Sequence, residues 1–128
     1  MNPAPGFKKY PGHRVSTNAS SAHVKVMLGG EVIADTREAV ELHESMSSSS
    51  VLAPVVYYIP REDVKMERLA RTAHSTHCPF KGDASYFSVV NGPENAVWSY
   101  ESPYDEMLSI KECLAFYPDK FEIKPASA

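Results

Sequence analysis

The stretch HVKVMLGGEVIADT, residues 23–36, decides the class of fold. From His23 to Leu28 β-branched residues alternate with others, Gly29-Gly30 makes a two-residue turn, and Glu31 to Ala34 resumes the pattern. Successive side chains on a strand point to opposite faces, and a glycine pair supplies the backbone freedom a tight hairpin turn needs. Two strands joined directly to each other point to antiparallel pairing.

Working outward, the rest of the chain repeats this logic. REAVELHE, residues 37–44, puts Val40, Leu42 and Glu44 on one strand face and Ala39, Glu41 and His43 on the other. Its composition also suits a helix, but it is short and has no apolar stripe, so a strand is expected. The serine run after Met46 reads as a loop, and the Val- and Tyr-rich stretch from Val51 to Ile59 as a strand with an edge or bulge at Pro54 and a stop at Pro60. Residues 61–73, REDVKMERLARTA, form the best helix candidate: acids fill the first turn, and Arg68 and Arg71 stand near the end, as a helix dipole favours. Gly82 to Val90 and Asn95 to Glu101 read as strands joined by the turn Asn91-Gly92-Pro93-Glu94, with Trp98 and Tyr100 on one face. A short helical turn is expected around Asp105 to Leu108. CLAFY and KFEIK, flanking Pro118-Asp119, suggest a last hairpin. Residues 1–22, rich in Pro, Gly, Ser and Asn, read as an irregular N-terminal arm.

These elements predict a mainly β fold. Residues 23–125 would form a single compact domain of about six to eight short antiparallel strands with one or two short helices. The 128-residue length suits one domain, and 43% hydrophobic with 23% charged residues is ordinary for a soluble globular chain. A net charge of −3 and the lack of a basic stripe argue against a nucleic-acid partner. No apolar run approaches the roughly 20 residues of a membrane helix, and MNPAPGFKKYPGH has no apolar signal segment, so a cytoplasmic protein with no membrane partner is expected. The two cysteines, Cys78 and Cys113, are expected as free thiols in that reducing compartment.

HSTHCPFKGDASYF, residues 74–87, is the densest chemistry. His74, His77, Cys78 and Cys113 offer zinc-ligand types, but His-x-x-His-Cys matches no standard zinc spacing, and no metal is expected. Cys78, beside His77 and three residues before Lys81, is a weak candidate for a catalytic nucleophile; the alternative is a small buried thiol. Lys81-Gly82, after a proline turn, offers an ammonium and permissive backbone to an anion, though it is no P-loop. Most aromatics are expected in the core, yet Trp98 and Tyr100 on one face could wall a pocket. Glu44, on the face of Val40 and Leu42, is the acid expected to be partly buried, with Lys81, Arg61 or Arg14 as its partner.

The order GGEVIADT, Glu44, YYIPREDV, THCPFKGDASYFSV, AVWSYESP and IKECLAFYPDKFEI resembles a bacterial and fungal domain family, domain of unknown function number 427, over about residues 23–124. That family is also filed as nucleotidyltransferase-like. The resemblance implies a β-tent-like fold shared with methionine sulfoxide reductase B and zinc-ribbon-like domains, whose two C-x-x-C pairs are absent here. It carries over Glu44, Tyr58, Pro60, Cys78, Lys81, Gly82, Tyr86, Trp98, Tyr100 and Pro103 as motif residues. Nucleotidyl transfer would want clustered carboxylates for Mg²⁺, and no D-x-D pair occurs. The expectation is a small ligand, an anionic one among the options, bound by Glu44, Tyr58, Cys78, Lys81, Tyr86, Trp98 and Tyr100, with the cofactor unspecified. The alternatives are an enzyme (nucleotidyl or phosphoryl transferase, or Cys-dependent) and a protein-interaction module.

Overall fold

The computed structural model describes residues 2–45 and 53–126. The serine loop and the first residues of the strand expected from Val51 lie outside the described residues. The chain runs α1 (Gly6–Lys9), β1 (Arg14–Ala19), β2 (His23–Leu28), β3 (Glu31–Thr36), β4 (Val40–Ser45) and β5 (Val56–Tyr58). Short 3₁₀ turns at Arg61–Asp63 and Met66–Arg68 lead into β6 (Leu69–Cys78) and β7 (Gly82–Val89). Then come β8 (Val97–Ser99), a 3₁₀ segment at Asp105–Ile110, β9 (Ala115–Phe116) and β10 (Glu122–Ala126). Among the described residues no helix is long and apolar enough to cross a membrane.

The strands form three antiparallel sheets, ordered β1-β4-β5, β10-β2-β3 and β6-β7-β8-β9. The mainly β, antiparallel expectation holds. The opening hairpin is β2-β3, turning on Gly29 and Gly30 at φ +57° and +86°. β7 and β8 pair as expected, Tyr86 against Trp98 and Phe87 against Val97.

Strand alternation divides the interior in two. On one face of the four-stranded sheet, Leu69, Phe87, Val89, Val97 and Phe116 pack with Val24, Val26 and Ile33 of the β2-β3 hairpin. On the other face, Ala84, Tyr86, Tyr100 and Ala115 pack with Leu42 and Tyr58 of β4 and β5. Neighbours in sequence therefore serve different cores: Tyr86 and Phe87, Tyr57 and Tyr58, Ala115 and Phe116. The face of Val40, Leu42 and Glu44 turns toward the second core, which places Glu44 at its rim.

Four expectations are corrected. Residues 61–73 are not a helix; they are two 3₁₀ turns and the start of β6. Val64, Met66 and Leu69 make no continuous helical stripe; Val64 bridges to Ala34 and Leu69 pairs with Val89. The final hairpin does not form, because β9 joins β8 while β10 crosses to β2. The strand ending at Ile59 is only Val56–Tyr58. The arm at 1–22 is not irregular: it contains α1, and β1 pairs with β4 along its whole length.

Arg71 crosses from β6 over Phe87, 5.0 Å from the ring centroid, and holds Glu101 through two hydrogen bonds of 2.8 and 2.7 Å. Arg61 reaches the same carboxylate at 3.2 Å. Arg71's hydrogen bond is the main cause, and the Glu101 carboxyl is held at about 2 instead of 4.5. A depressed carboxyl stabilises the fold above its unfolded value and loses that contribution as pH falls through its folded value. Stability is thus expected to drop between pH 4.5 and about 2, and Glu101→Gln to flatten that drop by about 1 kcal/mol after screening at this partly exposed site, read from urea midpoints across that range.

Candidate functional site

The turn Pro79-Phe80-Lys81 joins β6 to β7 and builds the site. Cys78 and Gly82 close the hairpin as a cross-strand pair. Gly82 has φ +117°, and a Cβ there would lie 3.4 Å from the Pro103 Cα and the Ser102 carbonyl oxygen. The Tyr104 N–H donates to the Lys81 carbonyl at 3.1 Å. These contacts fix the Lys81 backbone, so Gly82→Ala is expected to destabilise the protein by about 2 kcal/mol, read as a lower urea midpoint.

Lys81 folds back over the sheet face, and its side chain is only 11% exposed. Its Nζ donates to Glu44 Oε1 at 2.9 Å. The second carboxylate oxygen, Oε2, meets His13 Nε2 at 2.7 Å. Burial alone raises the Glu44 carboxyl; hydrogen bonds from Lys81 and His13 and their charge outweigh it, leaving the group below its usual value. Lys81 Nζ also lies 4.0 Å from Cys78 Sγ, the outer reach of a sulfur contact. Cys78 is half-buried and Cys113 buried, and both are free thiols.

His13 is held from behind. Its ring stacks on Phe80, centroids 3.9 Å apart at 10°. Phe7 meets the same ring at 5.0 Å, and the Gly6 N–H donates to the Pro79 carbonyl at 2.9 Å. A Cβ on Gly6 would stand 2.7 Å from the Phe80 ring, so only glycine allows this approach. Sequence reasoning missed His13 and Phe80 as site residues. The signal was there: Phe7, Tyr10 and His13 recur every three residues in the segment read as an irregular arm.

The aromatics occupy the other end of the same face. Tyr58, Tyr86 and Tyr100 are buried, with Tyr58 and Tyr100 6.3 Å apart. The Trp98 indole N–H donates to the Tyr58 hydroxyl at 3.2 Å, and Trp98 packs on Tyr117 at 4.5 Å. The hydroxyls of Tyr117, Tyr86 and Thr76 link at 3.4 and 3.1 Å. Burial is the main cause that pushes Tyr58 and Tyr100 well above their ordinary value, and the nearby Glu44 carboxylate adds to it. Burial and the Tyr86 hydrogen bond raise Tyr117 to about 12.

The residues singled out from sequence thus fall into two groups on one sheet face. Lys81, Glu44 and Cys78 meet at one end, Trp98 stands at the other, and Tyr58, Tyr86 and Tyr100 are packed between. Trp98 pairs with Tyr86, four residues along β7 from Gly82, which is about 13 Å of strand. Trp98 also helps wall an apolar groove of about 270 Å³, together with Val56, Tyr57, Phe116 and Pro118. Of the other candidates, His74 packs on the Tyr86 ring, His77 pairs with Asp83 at 2.7 Å, and Cys113 is buried in the second core. Arg61 serves Glu101 instead of Glu44. Among the described residues no three His, Cys, Asp or Glu side chains converge as a metal site would require.

Residues 16–125 match the family described as Domain of unknown function (DUF427). The chain belongs to that family. No curated protein matches it. The match covers nearly all of the DUF427 chain, including every residue of the face just described except His13 and the rest of the segment before β1.

Proposed function

We propose that this DUF427 protein binds a small elongated molecule along the face from Lys81 to Trp98. The observation that carries the reading is the ion pair of the buried Lys81 with the half-buried Glu44, set beside a half-buried thiol on a face whose far end is a half-buried tryptophan. An ion pair withdrawn from water adds little to stability over apolar packing, so its position at a rim fits recognition of a ligand. Lys81 would take an anionic or carbonyl oxygen of the ligand, with Glu44 holding the ammonium in place. Because Glu44 already balances the charge of Lys81, a weakly charged head group fits better than a polyphosphate. Trp98 and Tyr117 would take a flat or apolar part, and the hydroxyls of Tyr86 and Thr76 lie between. Two free thiols suit a reducing compartment such as the cytoplasm.

Trp98 is the single tryptophan of the chain, so its emission reports on the site directly. Titration with a panel of nucleosides, aromatic carboxylates and acyl esters is expected to give a saturable change for one class. That class should bind at least about tenfold more weakly to Trp98→Phe, read by calorimetry, and to the charge-neutral pair Glu44→Gln/Lys81→Met. Equal affinity in both variants would contradict the reading.

A further inference from the structure

We propose that the groove beside Trp98 binds a flat, uncharged heterocycle carrying a cyclic amide, of the kind present in uracil and hypoxanthine. The site lies outside the Lys81 face and shares Trp98 with it. It is built where β5 and β9 meet and then part. Ile59 and Leu114 exchange two hydrogen bonds there, of 2.9 and 2.8 Å. In an extended strand the N–H and C=O of every second residue point to the same side. Val56 and Tyr58 turn toward β4, opposite Leu42 and Val40, so Tyr57 turns away from it, as Ile59 does. The Tyr117 N–H donates to the Ala96 carbonyl at 3.1 Å, on the β8 side, so Phe116 turns toward β5, as Leu114 does. Tyr57 and Phe116 would therefore be the next hydrogen-bonded pair, and they do not bond. Both line the groove of about 270 Å³ instead. Among the described residues the N–H and C=O of Tyr57 and of Phe116 have no hydrogen-bond partner on that side, although Phe116 is only 3% exposed. Buried main-chain groups are nearly always paired, so this edge calls for a partner with one donor and one acceptor.

The surroundings say what that partner is. Pro118 stands where the next donor on the Phe116 edge would be, and proline has no N–H. A ladder cannot run on past Phe116, so a compact donor–acceptor edge fits there better than a long peptide strand. Trp98 and Tyr57 contribute aromatic walls, on which a planar ring stacks. No charged side chain is among the described residues of the lining, so an uncharged ligand fits. The volume falls just below the roughly 300–1,000 Å³ of sites for drug-sized molecules, which suits one or two rings. In this arrangement the ring carbonyl accepts from the Phe116 N–H, and the ring N–H beside it donates to the Phe116 carbonyl.

The test is titration of the full chain with uracil and hypoxanthine, read by amide NMR. Saturable binding of at least one ring is expected, with the Phe116 amide proton moving downfield as its N–H gains an acceptor. The analogues 1,3-dimethyluracil and 1-methylhypoxanthine lack the ring N–H beside the carbonyl and are expected to bind at least about tenfold more weakly. That comparison uses the unchanged chain and needs no variant to fold. Tyr57→Ala, checked for a native spectrum, is expected to weaken ring binding by a similar factor. Equal binding of the methylated rings overturns the proposal, as does saturable binding that leaves the Tyr57 and Phe116 amides unmoved. Failure of both rings to bind overturns it too. So does N-acetylalanine N′-methylamide moving those amides while the rings do not, which would give the edge to a peptide. Ring binding at Phe116 with nothing bound at Lys81 upholds this site while the reading of the Lys81 face fails, and the reverse result separates the two the other way.

Discussion

Lys81→Met is expected to lower the melting temperature by about 10 °C. The substitution leaves the Glu44 carboxylate at a half-buried position with His13 as its remaining partner. Removing one member of a buried pair costs roughly 3–5 kcal/mol; the partial exposure of Glu44 brings this nearer to about 2.5 kcal/mol, or about 10 °C for a domain of this size. The cost arises from the orphaned charge and not from lost methylenes, so adding Glu44→Gln should recover more than half of it. Calorimetric melting of the wild type, both single variants and the double variant checks this. A double variant no more stable than Lys81→Met would show that Lys81 acts through packing alone.

Phe80→Ala is expected to be costlier, about 3–4 kcal/mol, and to free the N-terminal segment. The Phe80 ring is buried, with His13 stacked on one side, Phe7 at its edge, and Gly6 pressed against it. Without the ring, the segment keeps the Asn2 N–H to Asp105 at 2.7 Å, the Ala4 N–H to Glu106 at 2.9 Å and the Gly6 N–H to the Pro79 carbonyl at 2.9 Å, but loses its apolar anchor. His13 would then no longer be aimed at Glu44. Urea unfolding measures the first effect. Tryptic cleavage after the exposed Lys8 and Lys9 under native conditions measures the second, and an unchanged cleavage rate would contradict it.

These two residues also show what the sequence could and could not convey. The β2-β3 and β7-β8 pairs were legible because each is local: alternation marks the strands, and Gly29-Gly30 or the turn at Asn91 joins them. β10 was misassigned because its partner is β2, far back in the chain, and no local pattern records that pairing. The 61–73 segment misled for a different reason. Its charges suit a helix dipole, but Arg71 is spent on Glu101 and Phe87 across the sheet, and Leu69 on Val89. In the site, Glu44 was legible as a rim acid from the face it shares with Val40 and Leu42, and Lys81 was among its three foreseen partners. His13 was not, because residues 1–22 show little hydrophobic periodicity to place them against the fold, and from that arm only the charge of Arg14 was foreseen beside Glu44. The tyrosines illustrate the limit of type alone. Tyr58, Tyr86 and Tyr100 are packed against one another, so their rings build the floor of the face, while Trp98 keeps an exposed part.

Crystallographic fragment soaking tests the central claim most directly, because it reads where molecules settle whatever the natural ligand is. Small carbonyl- and carboxylate-bearing aromatics are expected to collect between Lys81 and Trp98, with a polar atom within hydrogen-bond distance of Lys81 Nζ and a ring against Trp98 or Tyr117. Fragments that gather in the groove of Tyr57, Phe116 and Pro118 while leaving Lys81 and Cys78 untouched would contradict it.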